Sequence, residues 1–245
     1  LNRHLVKHYL CDECRFVQSE DPFWLNEAYR EPINRYDTGR LSRNLYLSRV
    51  TASVIFFLYG RNGKFMDYAG GYGILTRIMR DYGLDFYWHD IFSPNIFAKG
   101  FEYNPETSTV ELITCYEAVE HFVQPIIEFE KMARMSDNIL FSTELLPWPV
   151  PAPDGWWYYG FEHGQHVSFY STTSLARIAS RFGMNFYSDH RYVHLMTKKR
   201  TSDVYFRALV KASPFGLLPF LRLFLKSKAF SDMNHLISTP DGRDS

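Results

Sequence analysis

The sequence predicts an α/β protein with a doubly wound, mostly parallel sheet. Three observations carry this. Strand-like and helix-like stretches alternate over residues 64–197, which implies parallel strands joined by crossover helices. A glycine-rich turn, Gly70-Gly71-Tyr72-Gly73, sits between the first of these strands and the first of these helices. An acid, Asp90, closes the next strand 17 residues after Gly73.

Each element has a local reason. Residues 65–68 form a short strand ending near Asp67. Residues 74–82 form a helix with Ile74, Ile78 and Tyr82 on one face and Gly83 just past its end, where a left-handed residue is favoured. Residues 84–89 and 111–116 are strands, the latter apolar at Leu112, Ile113 and Cys115. Pro125 suits the first turn of a helix over 125–135, and 138–142 is another strand. Ser171 or Thr172 caps a helix over 171–182, with Leu175, Ile178 and Phe182 inward. Residues 185–188 and 192–196 read as a closing strand pair.

Outside this stretch, residues 37–60 read as a helix stopped by Gly60 and the Asn62-Gly63 turn. Residues 1–36 are expected to be an irregular segment carrying Cys11 and Cys14, 37–197 the principal domain, and 198–245 a helical extension. Within the extension, helices are expected at 204–211 and 217–229, and disorder from 238 to 245. Leu217, Leu218, Leu221, Phe224 and Leu225 give its second helix an apolar face that packs on the core or on a second copy, so a homodimer is a candidate assembly.

The 245 residues are 46% hydrophobic and 22% charged, ordinary for a folded soluble chain. The 27 basic residues balance 27 acidic ones, with no basic stripe, which argues against a nucleic-acid partner. The aromatic share of 18% suits a pocket for a small organic ligand as well as a core. Three cysteines, no signal-peptide pattern and no apolar run of 18 residues predict a cytoplasmic setting without a transmembrane segment.

The turn decides between nucleotide types. Gly70, Gly71 and Gly73 have the wrong spacing for the Gly-x-Gly-x-x-Gly of a dinucleotide site. They fit Asp/Glu-x-Gly-x-Gly-x-Gly instead, with Asp67, Gly71 and Gly73 in register and Ala69 at the first glycine position. That exchange is harmless where φ stays negative. This run resembles the signature of class I methyltransferases. The segments Trp88-His89-Asp90, Tyr116-Glu117-Ala118-Val119-Glu120-His121 and Glu162-His163-Gly164-Gln165-His166-Val167-Ser168-Phe169-Tyr170 resemble the methyltransferase-domain family called type 23.

The resemblance implies a Rossmann-like, seven-stranded sheet with helices on both faces, binding S-adenosylmethionine. Asp67, Tyr68, Ala69, Gly70, Gly71 and Gly73 would face its methionine part. The Asp90 carboxylate would accept hydrogen bonds from the ribose hydroxyls. Ile91 or Phe92 would flank adenine, with Phe101 or Glu102 as the third-strand contact, and Tyr116 and Glu117 would lie near the methionine end. The acceptor is expected to be a small molecule or a saccharide precursor. A nicotinamide-dependent oxidoreductase and a non-catalytic interaction protein, the latter suggested by Ala69, are the rival readings.

Methyl transfer to a hydroxyl needs an aligned acceptor and a group to take its proton. Glu117, Glu120 and His121 share one face of a helical turn, and His121 oriented by Glu117 or Glu120 is the first candidate base. His163 and His166 are the second. They follow Trp156-Trp157-Tyr158-Tyr159 in a Pro- and aromatic-rich loop that reads as a substrate lid. His163-x-x-His166 with Glu117, Glu120 and His121 offers enough ligands for a metal, but spacing alone is a weak signal and no metal is assigned there. Cys11-Asp12-Glu13-Cys14 resembles the second half of the zinc-binding module that precedes some sugar C-methyltransferases. It is half of a four-ligand site, for which His4 or His8 are candidate complements, so zinc is not assigned there.

Overall fold

The computed structural model describes residues 4–30, 37–105, 109–215 and 217–239. In chain order the elements are β1 (His8–Leu10), β2 (Val17–Ser19), α1 (Leu25–Ala28), α2 (Arg40–Val54), β3 (Lys64–Tyr68), α3 (Ile74–Asp81), β4 (Asp85–His89) and β5 (Leu112–Cys115). They continue with α4 (Pro125–Met135), β6 (Asn138–Ser142), β7 (Ser168–Phe169), α5 (Thr172–Arg181), β8 (Asn185–Ser188), β9 (Val193–Thr197), α6 (Asp203–Ala212), α7 (Leu217–Leu221) and α8 (Ala229–Ser238).

The fold is α/β with a mostly parallel sheet, in the order β4-β3-β5-β6-β9-β8. That is six strands, where seven were expected. The missing one is the stretch around Glu102, which makes a single parallel bridge to Trp88 and no strand. Pairing there is confined to Trp88, whose N–H donates to Phe101 and whose carbonyl accepts from Tyr103. The chain divides into two compact units. One comprises Leu1–Arg40 and Ile113–Ala208, the other Leu41–Leu112 and Leu209–Ser245.

In the second unit, β3 and β4 pair in parallel from Lys64 opposite Asp85 to Tyr68 opposite His89. Phe65 and Met66 are fully buried, and Phe65 stacks on Phe86. The buried face of α3 is Leu75, Thr76, Met79 and Arg80. This corrects the expected Ile74/Ile78 face by one position, because a left-handed residue at Gly73 (φ +83°) starts the helix and rotates its register. Residues 37–60 are not one α-helix, since α2 passes into a π-helical turn at Ile55–Tyr59. The expected helix over 217–229 is also interrupted. Helix α7 stops at Leu221, and the chain turns before α8 begins at Ala229. Residues 240–245 of the expected disordered tail lie outside the described residues.

That turn docks on α3. The Gly83 position (φ +98°) lies so close to the Lys226 backbone that a Cβ would collide with it. The Lys228 N–H donates to the Arg80 carbonyl at 3.0 Å. Arg80 and Asp232, 3% and 4% exposed, form a two-pronged pair at 2.8 and 2.7 Å. Burial pushes the Asp232 carboxyl up, but Arg80 and Arg77 outweigh it and hold it below its usual range.

In the first unit, β5 and β6 are parallel, while β9 runs antiparallel to β6 and to β8. Helix α5 starts with a reciprocal Ser171–Ser174 capping box, worth about 1 kcal/mol. Residues 1–36 were expected to be irregular. Instead β1, β2 and β7 form a second, three-stranded antiparallel sheet, because Val17 and Gln18 pair with Phe169 and Ser168. That pairing spans 150 residues of sequence and left no local pattern. His194 on β9 is fully buried, with Nε2 against the Thr143 carbonyl at 2.9 Å and Nδ1 against Ser188 Oγ at 2.9 Å.

Two outcomes follow. Asp232→Ala leaves the buried Arg80 with only Asp85 and the Phe86 carbonyl on one nitrogen and should cost about 3 kcal/mol, read as a lower urea midpoint. Burial pushes the His194 pKa down to about 4. The unfolded chain takes up a proton near pH 6.5 while the folded chain does not until about pH 4. Stability should therefore be full above pH 6.5 and fall by about 3 kcal/mol from this group as pH drops to 4. Urea denaturation across that range should show the slope, and His194→Gln should make it shallower, leaving the share of His121 and His166.

Candidate active site

The turn after β3 is built by its own unit. Asp67, 3% exposed, accepts from Thr76 Oγ1 at 3.4 Å. A Cβ on Gly70 would meet the Asp67 carboxylate at 2.8 Å and the Trp88 ring at 2.9 Å, so a side chain is sterically excluded there. Gly71 has φ +53°, and a Cβ there would meet nothing within 4 Å. Its backbone thus presents an open face of the kind a ligand can approach. A Cβ on Gly73 would crowd Asn95 and Ala98.

Ala69 departs from expectation. Its φ is +56°, not negative, so its methyl group is held in the strained left-handed region. Tyr68, next to it, lies 5.2 Å from the His89 ring.

Asp90 fastens the turn. Its Oδ2 accepts from the Gly71 N–H at 2.9 Å. Its Oδ1 accepts from the N–H groups of Phe92 at 2.7 Å and Ser93 at 2.8 Å. The Trp88 indole donates to the Gly71 carbonyl at 2.8 Å. Two N–H donors saturate Oδ1 and one occupies Oδ2, which leaves Oδ2 one acceptor position. The carboxylate can therefore take one ribose hydroxyl as it stands. Ile91 and Phe92 are 76% and 78% exposed. Phe101 is buried under the Arg80 guanidinium at 3.7 Å, and Glu102 accepts from Asn95, so neither is set up for a ligand.

In the other unit, Glu117 follows β5 with φ +53°. Its N–H donates to Ser142 Oγ at 2.9 Å, while Ser142 Oγ and Tyr192 Oη donate to its Oε1 at 3.0 and 2.6 Å. Burial and the Glu117 charge hold the Tyr192 hydroxyl protonated far above neutrality. Tyr116 precedes this knot and is partly buried.

Glu120, His121 and His166 converge, each offering a donor atom within 4.8 Å of the others'. His121 comes from the 3-10 turn Val119–His121, and its ring lies 4.9 Å from that of His166. His163 lies 4.7 Å beyond His166. Burial, and then the charge of His163, pushes His121 down to about 4. Burial and the two neighbouring histidines push His166 down as well. Glu120 is 1% exposed, and it joins burial in raising the Tyr158 hydroxyl.

The aromatic loop expected as a lid is anchored. Tyr158 and Tyr159 are buried in a cluster with Val17, Leu146 and Phe169, and Trp156 packs against it. Trp148 and Trp157 remain exposed. The pair Cys11 and Cys14 sits on the β1–β2 connection as free thiols, and neither joins a cluster of three metal-binding side chains among the described residues. His4 pairs with Glu27, and His8 packs against Phe161. The buried Tyr158 beside Glu120 was missed by the sequence reading. Nothing in its aromatic run marked it off from its neighbours.

Strand β3, a glycine turn, α3 and a β4 that ends in a carboxylate together define a Rossmann-like nucleotide-binding arrangement. A family model described as a methyltransferase domain matches residues 42–188, and the chain belongs to that family. It is a methyltransferase-type enzyme fold with that family's activity, methyl transfer from S-adenosylmethionine.

Among solved structures, it is similar to an O-methyltransferase family protein from Burkholderia thailandensis (16% identity, TM-score 0.45, 73% of this chain and 68% of that one). It is also similar to human N-acetylserotonin methyltransferase in complex with SAM (15%, 0.43, 72% and 66%). Magnesium protoporphyrin IX methyltransferase from Synechocystis PCC 6803 with bound SAH is a third (9%, 0.42, 70% and 90%). No curated protein matches the chain in sequence. No helix among the described residues is long and apolar enough to cross a membrane.

Ala69→Gly removes the left-handed strain at a cost in unfolded-chain entropy. It should raise stability by about 0.5 to 1 kcal/mol, visible as a higher melting temperature.

Proposed function

We propose that the chain methylates a small organic acceptor, a hydroxyl-bearing molecule such as a saccharide precursor, using S-adenosylmethionine held by the β3–α3 turn. The single observation that carries the cofactor assignment is the open backbone face at Gly71, clamped between Asp90 and Trp88. The bound cofactor would supply an electrophilic methyl group on a sulfonium. Asp90 Oδ2 would accept one ribose hydroxyl, and the peptide groups of Ala69–Gly73 would border the methionine part. Exposed Ile91 and Phe92 would cover the adenine.

Glu120, His121 and His166 form the polar pocket assigned to the acceptor. Their histidines are neutral at pH 7, since burial lowers both. A base whose conjugate acid sits near pH 4 takes protons poorly at neutrality. We therefore assign His121 to binding and orienting the acceptor, with alignment supplying much of the rate. A cytoplasmic setting and a homodimer remain part of this reading, motivated by the three free thiols and by exposed Leu223 and Phe224.

Isothermal titration calorimetry with S-adenosylhomocysteine and NAD, run side by side, tests the cofactor. S-adenosylhomocysteine should bind in the micromolar range and NAD should not. Asp90→Ala should weaken it at least tenfold. Preference for NAD would overturn the reading, and unchanged affinity in Asp90→Ala would remove the ribose role.

A further inference from the structure

We propose that Glu120, His121 and His166 hold a divalent transition-metal ion, through Nε2 of each histidine and one carboxylate oxygen. The argument begins with which ring nitrogen carries the proton. His121 Nδ1 lies 3.1 Å from the Gln165 carbonyl, and His166 Nδ1 lies 2.6 Å from the Tyr158 carbonyl. A carbonyl has no proton to give, so Nδ1 is the N–H donor in each ring, and at His121 that N–H is shared between the Gln165 carbonyl and the Tyr29 hydroxyl oxygen 3.0 Å away. In a neutral imidazole that leaves the lone pair on Nε2. Backbone carbonyls holding the distal N–H in this way are the usual second layer of a histidine metal site, where they fix the tautomer and ring orientation and raise ligand basicity.

The third donor supports this. Glu120 sits 1% exposed and offers an oxygen within 4.8 Å of a ring nitrogen of each histidine. Ligand atoms around a tetrahedral zinc stand about 3.3 Å apart, so side-chain rotation closes the set onto an ion. Two imidazoles and one carboxylate suit zinc, iron(II), cobalt(II) or manganese(II), and leave coordination positions open.

His163 is excluded from the set despite its proximity. Its Nδ1 accepts from the Gln165 N–H at 3.1 Å, so its lone pair is already spent. The spacing His163-x-x-His166 therefore misleads, since the two rings carry opposite tautomers. On the methyl-transfer reading, His121 would orient the acceptor through the ion, and an acceptor hydroxyl bound at an open position would release its proton to solvent water near neutral pH.

The test uses the full chain stripped with EDTA and then loaded with zinc or cobalt(II). One ion per chain should bind. The zinc X-ray absorption spectrum of the wild-type protein should show two imidazoles and oxygen at about 2.0 to 2.2 Å, with no sulfur. The cobalt ligand-field bands should vanish in His121→Ala and His166→Ala and persist in His163→Ala. Zinc affinity should fall at least 100-fold in Glu120→Gln. Sulfur in the zinc shell would move the site to Cys11 and Cys14 and overturn the proposal. So would an all-oxygen shell, or cobalt bands unchanged in the two histidine variants. S-adenosylhomocysteine binding by the same stripped protein is measured in parallel, so failure of the metal site and failure of the cofactor assignment can be told apart.

Discussion

Asp90 and Trp88, at the carboxyl end of β4, grip both polar groups of the Gly71 peptide position, one taking its N–H and the other donating to its carbonyl. This double grip lets the chain leave β3, reverse within five residues and begin α3. Turns of this tightness need left-handed residues, and here φ is positive at Ala69, Gly71 and Gly73. Glycine meets that need without cost at two of the three positions. Ala69 meets it under strain that the clamp must hold. Strain of this kind persists where surrounding contacts over-determine the backbone, and it concentrates at functional sites.

The first unit solves a different problem, which is keeping several titratable groups together in a partly dry space. It does so by denying them charge. Burial lowers His121, His166 and His194 and raises Tyr158 and Tyr192. Neutral rings can pack at 4.7 to 4.9 Å from one another without the repulsion that imidazolium groups would feel. Backbone carbonyls then choose the tautomers, which decides which nitrogens remain as donors of lone pairs. The aromatic loop serves this arrangement as a wall, since Tyr158 supplies its carbonyl to His166 and its hydroxyl to the Glu120 side of the pocket.

The C-terminal extension from Leu209 onward belongs to the second unit, and Arg80 ties its last helix there. A guanidinium that is 3% exposed is tolerable only when paired and hydrogen-bonded. Asp85 supplies one partner and Asp232, more than 150 residues away, supplies two bonds. Gly83 leaves room for the tail's backbone to reach that pair. What reads in sequence as an apolar appendage is thereby part of the core around β4.

The sequence by itself determined the α/β class, the strands β3, β4, β5, β6, β8 and β9 with the helices α3, α4 and α5 between them, the cap at Ser171 and the glycine turn with its acid. These depend on periodicity, propensity and turn chemistry acting within a few residues, so they are written locally. Only the tertiary structure decided the sign of φ at Ala69, the three hydrogen bonds that occupy Asp90, the second sheet of β1, β2 and β7, the pairing of Arg80 with Asp232, and the opposite tautomers of His163 and His166. Each of these is set by groups brought together from distant parts of the chain or by a backbone angle that neighbouring contacts impose. A one-dimensional pattern carries no term for either.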